Sequence, residues 1–217
     1  MRLIVSFLEF ILSTYYQDRW YARFYVLETI SRVPYFVYVS VLHLYESLGY
    51  WQKSDWLKVH FAESWNELHH LRIVEALGGS QHWSDRLISR ISVLAYYWIL
   101  VFVYMVAPKS AYRFNQLVEE HAYHTYDQFL NEHEVQLKTQ PAPEVAINYY
   151  CQGDLYMFDE FQTSAPSTNR RPKMESLYDV FLAIRNDEAE HIKTMKLCQE
   201  PEAQEILKSP HNHELIS

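Results

Sequence analysis

Two short strings constrain this chain more than anything else in it: Glu67-Leu68-His69-His70 and Glu188-Ala189-Glu190-His191. Each sets a Glu three residues ahead of a His. On an α-helix that offset stacks a carboxylate and an imidazole on one face, a turn apart. One such pair in a chain with 11 His carries little weight and reads equally well as a surface salt bridge. Two pairs matter when other helices add lone carboxylates, because carboxylate-bridged di-iron bundles take one Glu from each of two helices and Glu-x-x-His from each of two more. Glu28 and Glu119 lie in apolar helical stretches of that kind. The pattern predicts an all-α, ferritin-like four-helix di-iron bundle with additional short helices. Its metal ligands are Glu28, Glu67, His70, Glu119, Glu188 and His191. Oxygen ligands with a few imidazoles suit iron or manganese better than a structural zinc.

Composition narrows the setting. Only 4 Gly and 8 Pro in 217 residues argue against a sandwich or a doubly wound sheet, and the length suits a single domain over 1–217 with a substantial core. Aromatic residues make up 16%, with 18 Tyr and 6 Trp. Such side chains concentrate at membrane–water interfaces, though an aromatic-rich core is the plain alternative. A formal net charge of −8 without a basic run excludes an electrostatic footprint for nucleic acid. Two cysteines are too few for a disulfide framework, so a reducing compartment is expected. No leader pattern is legible at the start, which reads as a mature protein or a prokaryotic gene product.

Along the chain, residues 3–16 form an apolar stretch interrupted by Glu9 and Ser13, too short to span a bilayer and expected to lie against a partner or a membrane surface. A long helical pattern over 23–51 carries Glu28 and is expected to kink or restart near Pro34. Glu28 sits between Val26, Leu27 and Ile30, so it must be exposed, paired or metal-bound. The next helix opens at Ser54 or Asp55, holds Glu67 and His70, and ends at Gly78-Gly79. His69 points about 100° away from the ligand face and is left out. A further helix opens at Ser84 or Asp85. Residues 91–107 are uncharged, at the lower edge of a membrane span. Because the chain continues past Pro108 into the helix with Glu119, a bundle sunk part-way into one leaflet is preferred to a crossing. Residues 153–173 read as a long inserted loop, 175–198 as the last long helix with Glu188 and His191, and 200–217 as a frayed tail.

Four strings in this order, Arg23-Phe24-Tyr25-Val26-Leu27-Glu28-Thr29, Asn66-Glu67-Leu68-His69-His70, Leu117-Val118-Glu119-Glu120-His121-Ala122 and Asn186-Asp187-Glu188-Ala189-Glu190-His191, make the chain resemble the alternative oxidases. These are membrane-bound di-iron quinol oxidases. The likeness covers residues 19–198. Within the family the chain is similar to the plastid terminal oxidase branch, through Asp154-Leu155-Tyr156-Met157-Phe158-Asp159-Glu160-Phe161 and Arg170-Arg171-Pro172-Lys173.

The resemblance implies two iron ions and no haem, with the six ligands named above. It implies a redox-active Tyr126 and a quinol pocket at Arg23, Leu27, Val118, Ala122 and Thr125. Asn66 and Asp187, each directly preceding a ligand Glu, are expected to bond the outer nitrogens of the two ligand histidines. The mitochondrial pattern has Glu where this chain has His121 and Leu where it has Val118. The implied activity is cyanide-resistant oxidation of plastoquinol (or ubiquinol) with reduction of O2 to water, without proton pumping. The implied setting is a homodimer joined through its N-terminal helices, monotopic on the stromal or cytoplasmic side of a thylakoid membrane in a cyanobacterium or plastid. A soluble ferritin-like iron store or peroxide scavenger, and a metal-free helical membrane adaptor, are the rival readings.

Overall fold

A computed structural model describes residues 2–49, 54–152 and 171–203, without the side chains of Arg2, Ile4, Ser54 and Asp55. The inserted string at 154–161, most of the loop at 153–173, and 204–217 of the tail lie outside the described residues. The elements are α1 (Arg2–Tyr16), α2 (Trp20–Ser47), α3 (Ser54–Ala76), α4 (Trp83–Val106), α5 (Pro108–Thr139), α6 (Glu144–Ile147), a π-helical turn (Asn148–Gln152) and α7 (Leu177–Leu197). Among the described residues there is no strand, only an isolated bridge between Pro141 and Ser176. The all-α class is as expected from the helical periodicity.

Helix α2 runs unbroken through Pro34, where the sequence led us to expect a kink or restart. Proline forfeits one backbone hydrogen bond. Pro34 is itself buried, and burial of its neighbours Val33, Tyr35, Val37 and Tyr38 in an apolar core outweighs that loss. Helix α3 ends as expected: Gly78 takes φ +88, and a Cβ on Gly79 would lie 2.5 Å from the Tyr21 carbonyl oxygen. The cap of α4 differs from expectation, since the residue at its start is His82 and no side chain caps it. Asp85 is instead fully buried and pairs with Arg19, which ties the α1–α2 corner to α4. At α7, Ser176 and Asp179 form a reciprocal capping box.

Helices α2 and α3 pack as one pair, α5 and α7 as another, and α4 lies across α2 and α5. Two apolar cores result. One, around Phe24, Tyr126, Phe129 and Phe181, fills the end of the bundle near α1. The other, around Tyr35, Tyr38, Tyr104 and Tyr112, fills the opposite end. Glu28, Glu67, Glu119 and Glu188 come from α2, α3, α5 and α7 respectively. The four carboxylates therefore meet where the two helix pairs face each other.

The outer surface of α4 is apolar. Ile91, Leu94, Trp98, Ile99 and Phe102 are all exposed, and the helix is long and apolar enough to cross a membrane by length and composition, with 17% of its apolar window buried. Helix α1 likewise exposes Leu3, Phe7, Leu8, Phe10, Ile11 and Tyr15.

Candidate metal centre

Each Glu-x-x-His helix contributes its pair to the interior because the i, i+3 spacing holds both groups on the inward face. All six predicted ligands are at most 1% exposed. They form two groups of ligand atoms, each group within 4.8 Å: Glu28, Glu67, His70 and Glu188; and Glu67, Glu119, Glu188 and His191. The groups share Glu67 and Glu188.

Both imidazoles turn Nδ1 inward. His70 Nδ1 lies 3.3 Å from Glu188 Oε1 and 3.6 Å from Glu28 Oε2. His191 Nδ1 lies 3.0 Å from Glu67 Oε1, 3.5 Å from Glu188 Oε2 and 4.0 Å from Glu119 Oε2.

The electrostatics are those of a crowded acidic chamber. Burial, then the neighbouring charge of Glu67, pushes the carboxyls of Glu28 and Glu119 well above the usual carboxylate range. Burial acts on Glu188 in the same direction, but the close imidazoles of His191 and His70 outweigh it and hold this carboxyl below its ordinary value. Burial pulls both histidines down, while their carboxylate partners lift them well above the ordinary imidazole range. Several inward atoms still find no hydrogen bond: Oε2 of Glu28, Glu119 and Glu188, Oε1 of Glu67, and Nδ1 of His70. Buried carboxylate oxygens without partners are strongly unfavourable unless a cation neutralises them. The donor set, four carboxylates and two imidazoles, fits two oxygen-preferring cations.

Around this chamber sits a layer of hydrogen-bonding groups. Asp187 Oδ2 accepts from His70 Nε2 at 3.1 Å, Asn66 Nδ2 at 2.9 Å and the Tyr150 hydroxyl at 2.8 Å. Asp187 thus orients the histidine of the opposite helix, and its bond fixes Nε2–H so that Nδ1 is free to bind inward. The expectation that Asn66 bonds a histidine is corrected: its amide donates to Asp187 and, at 2.7 Å, to the Tyr149 hydroxyl. Tyr126, fully buried, donates to Glu28 Oε1.

Three participants were not foreseen. Ser31 donates to Glu67 Oε2 and Tyr35 to Glu119 Oε1, each at 2.8 Å, while Tyr150 reaches Asp187 as above. Ser31 and Tyr35 stand three and seven residues after Glu28, on its own helical face, a signal that was available in the sequence. His69, set aside as pointing elsewhere, stacks on Tyr149 with ring centroids 4.1 Å apart.

Of the expected quinol-pocket residues, Arg23, Leu27, Ala122 and Thr125 are buried and Val118 is half-buried. Arg23 Nη2 reaches Thr125 Oγ1 at 3.5 Å. A separate cavity of about 330 Å³ lies on the outer side of Trp20, and none of the six predicted ligands lines it.

Comparison with known families agrees with this geometry, since the family described as alternative oxidase matches residues 2–200. The chain belongs to the alternative oxidase family. Among curated relatives, ubiquinol oxidase 4, chloroplastic/chromoplastic, of Arabidopsis thaliana is 56% identical over 93% of this chain and 57% of its own length. Alternative oxidase 3, mitochondrial, of Glycine max is 31% identical over 86% of this chain and 52% of its own length. Ubiquinol oxidase 1a, mitochondrial, of Oryza sativa is 30% identical over 86% of this chain and 51% of its own length. The chain spans just over half the length of these relatives, and its greater identity to the chloroplast protein agrees with the plastid-branch resemblance.

Proposed function

We propose that this alternative oxidase is a di-iron quinol oxidase, oxidising two plastoquinols to quinones as one O2 is reduced to two waters, without proton pumping. The observation that carries the reading is the pair of ligand groups that share Glu67 and Glu188. Glu28, Glu67, His70, Glu119, Glu188 and His191 would hold the two irons, with Glu67 and Glu188 common to both groups. Bound iron would supply the redox capacity for reducing O2. The chain's own residues orient the ligands and keep water out. Asp187 holds His70 in register. Tyr35 and Ser31 brace Glu119 and Glu67. Tyr126 sits where it can exchange a proton or an electron with the Glu28 side of the centre. Arg23, Leu27, Val118, Ala122 and Thr125 receive the quinol.

The exposed apolar faces of α1 and α4 support a monotopic seat in one leaflet, where the lipid-soluble substrate resides. The same surface disfavours a soluble iron store, whose outer helices are polar. The chloroplast relative supports a plastid setting, and within it the proposed seat is the stromal or cytoplasmic side of a plastid or cyanobacterial thylakoid. Homodimerisation through the N-terminal helices draws on the exposed apolar side of α1, and light scattering in detergent tests it. The deciding experiment measures iron content together with cyanide-resistant oxygen uptake on plastoquinol and ubiquinol analogues. Protein that purifies without stoichiometric iron, or that takes up no oxygen with either quinol, overturns the reading.

A further inference from the structure

The centre carries a reciprocal pair of phenols. Tyr35 follows Glu28 by seven residues on α2 and donates to Glu119 of α5 at 2.8 Å. Tyr126 follows Glu119 by seven residues on α5 and donates to Glu28 of α2. Their surroundings differ. Phe24 and Phe181 pack on the Tyr126 ring, with centroids 4.4 and 6.0 Å away. Phenylalanine resists oxidation, so an oxidising equivalent on Tyr126 stays where it is. Tyr35 instead opens a run of oxidisable rings into the second core, with Tyr38 at 6.3 Å and Tyr112 4.7 Å beyond it.

The members of this run are not equivalent, because a phenol loses an electron readily only when its hydroxyl proton has an acceptor. The buried Tyr38 hydroxyl has no hydrogen-bond partner among the described residues, so this ring can pass an electron but not keep the loss. The Tyr112 hydroxyl lies 3.0 Å from His60 Nε2, within reach of a base. On the other side of that imidazole, Nδ1 lies 3.0 Å from Glu63 Oε2. The carboxylate fixes the ring proton on Nδ1 and leaves Nε2 to accept from Tyr112. The Tyr104 hydroxyl, 2.7 Å from the Tyr112 oxygen, can donate to it once the phenol proton has left. His60, Glu63 and Tyr112 are wholly buried and belong to neither ligand group, and an acid in that position needs a reason.

We propose that Tyr112 is an auxiliary electron donor to the centre, joined to it through Tyr38 and Tyr35. When O2 reduction begins before the second quinol arrives, one electron leaves the Tyr112 phenol and passes along Tyr38 and Tyr35 to the centre. The phenol proton moves to His60 Nε2, leaving a neutral phenoxyl and an imidazolium held by Glu63. One electron of the next quinol returns by the same path, and the proton goes back from His60 to the phenoxyl oxygen. The four electrons for O2 still come from two quinols. This inference rests on the quinol-oxidase reading above and adds a redox path on the side of the centre away from Tyr126.

The test withholds quinol. Iron-loaded protein is reduced with dithionite, freed of excess reductant, mixed with O2 and frozen. The organic radical is counted per bound iron by electron paramagnetic resonance, and ring-deuterated tyrosine identifies it. Wild type is expected to give a phenoxyl signal that disappears when quinol is added, and iron-free protein to give none. Tyr112→Phe should lose most of the signal. Tyr38→Phe should lose it as well, since the run is interrupted with Tyr112 still in place. His60→Gln removes the proton acceptor and leaves every phenol intact; it should show the same loss, and it decides the matter if Tyr112→Phe does not fold. Tyr178→Phe, at the start of α7, should keep the full signal. Helicity should match wild type throughout, and mass spectrometry should find more oxidised Tyr126 in Tyr112→Phe after repeated exposure to O2. A signal that survives in any folded member of the three variants breaks the path at that residue and overturns the proposal. So does a wild type that oxidises quinol yet forms no phenoxyl. Protein that binds no iron or oxidises no quinol is a different result: it removes the quinol-oxidase reading, and this inference falls with it.

Discussion

The Tyr126 hydroxyl donates to Oε1 of Glu28, joining positions 98 residues apart on α5 and α2. Phe24 stacks on the same tyrosine ring with centroids 4.4 Å apart, so the phenol has little room to turn. Burial and then the Glu28 charge push the phenol well above its ordinary value, so it holds its proton firmly. Tyr126→Phe should keep the fold and the iron but lower turnover by about 100-fold, the scale for losing a positioned proton-transfer group. Iron stoichiometry and oxygen uptake measured on one preparation check this. Full activity in the variant would confine Tyr126 to packing.

Glu188 belongs to both ligand groups, and among the described residues it is the one carboxylate of α7 in either. Glu188→Ala should abolish oxygen uptake and leave bound iron well below two per chain, with helicity by circular dichroism unchanged. A variant that keeps its iron and its activity would contradict the assignment of the centre.

Asp187 acts through His70. Removing its charge in Asp187→Asn leaves the imidazole less firmly oriented and less basic. Iron affinity should fall roughly 10–100-fold. Competition with a chelator of known affinity reads this directly, and an unchanged affinity would restrict Asp187 to holding Asn66 and Tyr150.

How much of this was legible beforehand follows from periodicity. The two Glu-x-x-His pairs sit on regular helices at an offset of three, so one turn of arithmetic placed them together; Glu28 and Glu119 followed from the four-helix di-iron pattern, and Tyr126 from the family resemblance alone. Ser31 and Tyr35 obey the same arithmetic from Glu28 and went unread because hydroxyls are common in an aromatic-rich chain. Tyr149 and Tyr150 had no such signal. They lie in a π-helical turn far from Asn66 and Asp187 in the chain, and only tertiary packing brings them together. The continuity of α2 through Pro34 was illegible for the same reason, since burial decided it and local propensity did not.

His69 supplies a pH signature. Burial, then the charges of Arg72 and His70, pushes its imidazole down to about 4 from the ordinary 6.5. The folded chain therefore favours the neutral ring. That contribution is fully present above pH 6.5 and is lost as pH falls through about 4. The melting temperature of His69→Phe should accordingly drop less between pH 7 and pH 4 than that of the wild type. Parallel curves from differential scanning calorimetry would assign the acid sensitivity to other groups.

Leu94 and Phe102 lie on the open side of α4. Lysine at either position should weaken partition into liposomes about tenfold, the scale for withdrawing one large apolar side chain from lipid. Iron content should be untouched. Unaltered co-sedimentation with vesicles would move the lipid-facing surface elsewhere.

The widened turn at Asn148–Gln152 aims two consecutive tyrosines at one acid–amide pair, Tyr150 at Asp187 and Tyr149 at Asn66. Neighbours on an ordinary helix diverge by about 100°, so this double aim depends on the segment having its present number of residues. A deletion of one residue there would swing a phenol out of reach and slacken His70 from a distance, without altering a single side chain of the two ligand groups. Chain length in this short stretch is thus as much a part of the site as the identity of its acids.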